Sequence, residues 1–157
     1  GALQGLDKKE TATRHGDAQV LKWRRGYAVR PPALTVDDPG HPTNEPRYAA
    51  VDNLPGSESL ADTLVRVRQW WQEVLAPQLA ADRRVLVVAH GNSLRAMVKF
   101  LEEMSEEEIM QYNIPTGIPL VYRLDDDLGV IGHDYIADEA TLAAAVSEVK
   151  NQASAKA

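Results

Sequence analysis

Five consecutive residues, Val85-Leu86-Val87-Val88-Ala89, constrain this chain more than any other stretch. They are uninterruptedly apolar and mostly β-branched, with no polar residue alternating to face water. Such a run fits a strand buried on both faces, as in a parallel sheet covered by helices. Arg83-Arg84 bounds it on one side and His90-Gly91-Asn92 on the other. Helical patterns flank it, so the expected class is α/β, a layered helix/sheet/helix arrangement with a mostly parallel sheet. Residues 119–124 and 130–136 read as two further strands around an Asp-rich turn containing Gly129, hence a hairpin. A helix-flanked sheet usually has about five or six strands, so the sheet legible here is incomplete.

The helices carry their own punctuation. Asp7 with Glu10 resembles a capping box opening a short helix through Arg14, closed by Gly16. Asp17 is expected to cap a second helix that Gly26 ends. Residues 30–56 hold six of the nine prolines and read as a long irregular excursion. Loops of that length inside a compact domain are usually lids or flexible segments. Ser57 or Ser59 then starts the clearest helix, with Leu60, Leu64, Val67, Trp71, Val74 and Leu75 on one stripe and Pro77 interrupting its end. Ser93 is expected to cap a helix using Leu94, Met97, Val98 and Leu101, and Ser105 with Glu108 forms a capping box for a short helix ending near Tyr112. Residues 138–157 are an Ala-rich tail, mildly amphipathic to about Val149. The whole of 1–157 reads as part of one domain.

Charge narrows the partners. With 17 Lys and Arg against 23 Asp and Glu, the net charge is −6. A general binder of nucleic acid or anionic membrane needs the opposite surplus, so neither is expected. No apolar run approaches the roughly 20 residues that span a bilayer, and residues 1–5 show neither a basic nor an apolar signal region. The absence of cysteine excludes disulfides, thiolate metal sites and cysteine nucleophiles.

A small anion needs only a few basic groups brought together. The passage from strand to His90-Gly91-Asn92 to helix offers one place for them. Ligands of open α/β sheets bind beyond the carboxyl ends of strands, and a helix start presents free N–H groups and a positive dipole end. Gly91 admits close approach and Asn92 adds a side-chain donor. An imidazolium at His90 could neutralise charge developing in phosphoryl transfer. The plainer reading is a strand ending in a turn of Gly, Asn and Ser, and spacing alone leaves both open. A second place is Lys22-Trp23-Arg24-Arg25, with Lys8 and Lys9 on the preceding helix. Charge-assisted hydrogen bonds to phosphate or carboxylate are worth about 1.5–3 kcal/mol each, but on sequence alone a solvated helix face is the better account of these charges. Arg14-His15-Gly16 needs no catalytic explanation, because His15 near a helix C-terminus before a glycine cap suffices. Glu102, Glu103, Glu106, Glu107 and Glu108 read as a solvated acidic cluster, and no pairing with histidine has metal-ligand spacing, so no metal is expected.

Four segments together carry a resemblance: Gly1-Ala2-Leu3-Gln4-Gly5-Leu6, Trp23-Arg24-Arg25, residues 87–95 around His90-Gly91-Asn92, and Asn113-Ile114-Pro115-Thr116-Gly117-Ile118-Pro119. Over about residues 1–135 the chain resembles the 2,3-bisphosphoglycerate-dependent phosphoglycerate mutases of the histidine phosphatase superfamily. The resemblance implies a phosphoglycerate mutase-like fold and interconversion of 3- and 2-phosphoglycerate through a phosphohistidine, with 2,3-bisphosphoglycerate as priming donor. It implies that His90 is the second active-site histidine, contacting the transferring phosphoryl group. It implies further that Lys8, Arg24, Arg25, Gly91 and Asn92 bind a small phosphorylated carboxylic acid. A cytoplasmic enzyme of glycolysis and gluconeogenesis, homo-oligomeric when intact, is the expected parent. In that family the Arg-His-Gly segment with the nucleophile and the Glu-Arg-His-Tyr segment with the acid/base glutamate precede the Gly-Ala-Leu-Gln-Gly stretch. The resemblance therefore implies that this chain lacks both, along with the first strands of the sheet, and is inactive alone. The order of segments also rejects His15 as a substitute nucleophile. Two other readings remain open: a bisphosphoglycerate or sugar-phosphate phosphatase, and a non-catalytic module that binds phosphorylated metabolites.

Overall fold

A computed structural model describes residues 1–151, apart from the side chains of Lys8, Lys150 and Asn151. Helix α1, Lys8–His15, starts at the expected cap residue: the Asp7 carboxylate accepts from the backbone N–H groups of Lys9 and Glu10, the first half of the box that Asp7 and Glu10 suggested. Helix α2, Asp17–Arg25, starts differently. Gly16, at φ +81°, is its N-cap, and Asp17 sits inside the first turn, where its charge complements the helix dipole. Gly26 ends the helix by donating to the Lys22 carbonyl, and a β-carbon added there would fall 2.4 Å from that oxygen.

The 30–56 excursion is irregular, with short 3₁₀ turns at Pro42–Asn44 and Pro46–Tyr48. Its two ends are held together, and one side chain within it, His41, is buried. Leu34 donates to the Gly56 carbonyl, the Ser57 hydroxyl to the Pro31 carbonyl, and His41 is buried with its ring Nδ1 2.8 Å from the Thr43 hydroxyl.

Helix α3, Leu60–Trp70, begins at a full capping box in which the Ser59 hydroxyl takes the Asp62 N–H and the Asp62 carboxylate takes the Ser59 N–H. A π-turn follows at Trp71–Leu75, then α4, Ala76–Ala80. Proline has no N–H and its ring crowds the carbonyl four residues back. The wider turn just upstream of Pro77 accommodates both. It also shifts the phase of the apolar stripe: Leu60, Val67, Trp71 and Leu75 are buried, whereas Val74 turns out to solvent.

Helix α5, Gly91–Leu101, packs along α3, and α6, Glu106–Gln111, begins at the expected Ser105/Glu108 box and adds Ile109 to their shared core. The central core is Leu60 and Val67 from α3, Ala96 from α5 and Ile109 from α6, with Tyr27, Leu64, Met97, Met104 and Tyr112 packed against it. Strands β1, Leu120–Leu124, and β2, Val130–Tyr135, form the expected antiparallel hairpin, pairing Leu120 with Tyr135 and Tyr122 with His133. Asp125 organises its turn by accepting from the N–H groups of Asp127 and Gly129. His133 Nδ1 lies 2.9 Å from a Glu102 carboxylate oxygen, so Glu102 is not the wholly solvated residue its sequence neighbourhood suggests. Helix α7 spans Glu139–Asn151, and residues 152–157 of the expected tail lie outside the described residues.

The main departure concerns residues 85–89. The chain is a mixture of helix and strand, but among the described residues the sheet is the two-stranded antiparallel hairpin alone. Residues 85–89 pair with nothing there, and Leu86 and Val88 are 83% and 86% exposed instead of buried. A strand exists through its ladder partners, and this run has none among the described residues. Among the described residues, no helix is long and apolar enough to cross a membrane.

The capping box gives a pH test. Hydrogen bonds from the Arg30 guanidinium at 2.8 and 2.5 Å, and then from the Ser59 backbone N–H, hold the Asp62 carboxyl well below the usual carboxylate range. A depressed folded-state value means the contribution is present above the unfolded value of about 4 and is lost as pH falls through the folded one. Asp62→Asn should cost about 0.5–2 kcal/mol at neutral pH, mostly as a lost cap, since the exposed ion pair adds little. The gap from the parent should narrow below about pH 4. Urea denaturation across that range measures it, and a gap independent of pH would contradict the assignment.

Candidate functional site

Three chain segments converge on one cleft of about 310 Å³. The C-terminal end of α2 contributes Trp23, Arg24 and Gly26. The start of α3 contributes Glu58, Ser59, Leu60, Thr63 and Arg66. The start of α5 contributes His90, Asn92, Ser93 and Arg95.

His90 is the N-cap of α5, in place of the expected Ser93. Its ring Nδ1 accepts the Asn92 backbone N–H at 3.2 Å. With Nδ1 engaged by the backbone, Nε2 is the ring atom left to present an N–H to a ligand. Gly91 begins the helix, and the space that a β-carbon would occupy there is open, which leaves the helix start accessible to a ligand.

Arg24 and Arg25 both lie in the last turn of α2, a position that also suits the negative end of its dipole. They face different surroundings. Arg24 lines the cleft, and its Nη1 is buried without a hydrogen-bond partner among the described residues. Burial pulls its pKa below the ordinary arginine value. Arg25 is not among the cleft-lining residues, and its Nη2 reaches the Val149 carbonyl of α7 at 3.4 Å. Burial, and then the like charge of Arg24, lower its pKa as well. The side chain of Lys8 lies outside the described residues. The cleft therefore brings together His90, Asn92 and Arg24, with Gly91 at the helix start between them.

His15 ends α1 and sets its ring edge-on against Trp23, with centroids 5.1 Å apart. Trp23 lines the cleft and His15 does not. Among the described residues, no group of three or more His, Asp or Glu side chains is placed to hold a metal ion.

Sequence reasoning passed over Arg66 and Arg95. Arg66 sits on the cleft wall, paired with Glu58. The signal was available: Ser59, Thr63 and Arg66 recur at helical spacing as a polar stripe beside the apolar one. Arg95 is 4% exposed. It donates to the Asn92 side-chain oxygen at 3.2 Å, the Arg25 carbonyl at 3.2 Å and the Ile109 carbonyl at 2.5 Å. Burial, followed by repulsion from Arg25, lowers its pKa to about 10, so it remains charged at neutral pH. A cationic residue beside the buried Ala96 and Val98 of α5 was the sequence signal for it.

Chemically, the cleft offers guanidinium groups, an imidazole N–H, an amide and a helix start, with one carboxylate, Glu58, paired to Arg66 on its wall. Guanidinium forks match the geometry of phosphate and carboxylate oxygens, and a helix start accepts an anion. Residues 1–131 match the family model described as histidine phosphatase superfamily (branch 1). That span contains every cleft residue, and by it this chain belongs to the histidine phosphatase superfamily, whose chemistry is phosphoryl transfer and phosphate-ester hydrolysis.

Proposed function

We propose that this chain is the phosphate-binding part of a 2,3-bisphosphoglycerate-dependent phosphoglycerate mutase, which interconverts 3- and 2-phosphoglycerate. The observation that carries the reading is the shared cleft of His90, Asn92 and Arg24, with the Arg24 Nη1 buried and unpartnered among the described residues. A buried donor without an acceptor costs free energy, and an anionic oxygen of the ligand would complete it. Arg24, Arg66, His90 and Asn92 would hold the phosphorylated acid, and bound 2,3-bisphosphoglycerate supplies the phosphoryl group that primes the enzyme. His90 would direct its Nε2 N–H at the phosphoryl oxygens, and Asn92 would orient the substrate beside it. Arg25 and Lys8 complete the basic set in this proposal, Arg25 through its charge beside Arg24.

Under this reading the nucleophilic histidine and the acid/base glutamate are not among these 157 residues. Residues 85–89 would be an inner strand of a mostly parallel sheet covered by helices in the complete cytoplasmic enzyme, itself homo-oligomeric. The exposed Leu86 and Val88 support that, because apolar side chains so exposed call for a covering layer.

The chain should bind 3-phosphoglycerate weakly, at about millimolar affinity, and should show no turnover. Nuclear magnetic resonance titration tests the first, and a coupled isomerase assay the second. Absence of shift changes in the cleft residues would remove the substrate assignment, and isomerisation by these residues alone would remove the account of the nucleophile. In the complete enzyme, the ratio of isomer formed to phosphate released separates a mutase from a phosphatase of the same superfamily.

A further inference from the structure

We propose that Arg95 is the positioning residue of the cleft: it fixes the Asn92 amide with its NH₂ group turned toward the ligand, and locks the α2 wall that carries Arg24 to the α5 wall that carries His90. This deepens, and rests on, the reading of the cleft as a site for a phosphorylated acid.

The argument starts from what a guanidinium can do. It has N–H donors and no acceptor. The Asn92 side-chain atom 3.2 Å from Arg95 Nη1 must therefore be the amide oxygen, and the other end of that amide is the donor. Asn92 is held from a second direction, since its backbone N–H is bonded to His90 Nδ1. With both restraints in place the residue offers N–H groups, which suit an anion, instead of a carbonyl oxygen, which would repel one. The other Nη of Arg95 binds the carbonyls of Arg25 and Ile109, so one side chain spans α5, the end of α2 and α6.

A plug for the core would not need this residue. All three partners are neutral oxygens, and a buried cation held only by neutral oxygens stays expensive to desolvate. An apolar side chain of similar volume would fill the place at lower cost. What arginine supplies is direction: three acceptors in a planar fork, which lysine, a single point charge, cannot reproduce.

The test uses the full chain labelled with ¹⁵N, with the Asn92 side-chain amide assigned by its loss in Asn92→Asp. In the parent that amide should be ordered and shifted from the free-amide position, and in Arg95→Lys it should collapse to the free position. In a chemical-shift titration with 3-phosphoglycerate, Arg95→Lys and Asn92→Ala should each weaken binding about ten-fold, and the double variant no further. Should Arg95→Lys fail to fold, Asn92→Asp decides. Aspartate keeps an oxygen on Arg95 but puts a second one where the parent has NH₂, so it should bind the ligand at least about ten-fold more weakly than Asn92→Ala. An unchanged Asn92 amide in Arg95→Lys, losses that multiply in the double variant, or equal affinities for Asn92→Asp and Asn92→Ala would each overturn the proposal. No response of the parent to 3-phosphoglycerate would instead remove the substrate reading, and the amide signal would still decide whether Arg95 orients Asn92.

Discussion

Replacing Ile109 with alanine should destabilise this chain by about 2–5 kcal/mol, enough to lower its melting temperature by roughly 4–20 °C. Ile109 is fully buried on α6, in the same cluster as Leu60 and Val67 of α3 and Ala96 of α5. Truncation removes its transfer free energy and leaves a cavity that those three helices cannot easily close. The cavity also opens beside a functional element, because the Ile109 carbonyl is the shortest of the three hydrogen bonds held by Arg95. Loss of stability should therefore come with loosening of the cleft. Ile136, 65% exposed, is the control, and its change to alanine should stay within about 0.5 kcal/mol. Urea denaturation of the two variants against the parent measures both, and equal effects would mean that the three-helix core is misplaced.

What the sequence disclosed follows the range of each interaction. The caps at Asp7, Ser59 and Ser105 bond to groups two or three residues away, so local chemistry places them, and the hairpin is marked by alternating residues around an Asp-rich turn. Residues 85–89 are different. Their composition says they would be buried in a sheet, but a ladder is a property of at least two segments, and no second segment among the described residues pairs with them. The start of α5 was ambiguous for another reason. His90, Asn92 and Ser93 can all accept a backbone N–H, and the choice of His90 depends on ring orientation, which spacing does not specify. The anion-binding cluster was half legible. The resemblance pointed to Arg24, Arg25, His90 and Asn92, while the buried role of Arg95 required knowing that α2 and α6 pass on either side of it.

The same physics predicts opposite signs for one substitution. Arg24→Met should stabilise the ligand-free chain while weakening binding of 3-phosphoglycerate. In the free chain Arg24 is partly desolvated, lies beside the like charge of Arg25, and buries its Nη1 with no partner among the described residues. An unsatisfied buried donor costs about 1–3 kcal/mol. Methionine keeps much of the apolar stem and removes that cost, so a gain of about 1 kcal/mol is expected. Binding should move the other way. A lost charge-assisted hydrogen bond to a phosphate or carboxylate is worth about 1.5–3 kcal/mol, or roughly 10–150-fold in affinity. Arg25→Met provides the contrast, since Arg25 reaches the Val149 carbonyl and does not line the cleft. Its effect on affinity should be several-fold at most, arising from charge at a distance. Thermal melts of the free chain and titrations of the three proteins with 3-phosphoglycerate read out both halves. An Arg24→Met chain that melts lower and binds as well as the parent would show that this guanidinium serves the fold, and the cleft would then lose the group that marks it as a site for an anion.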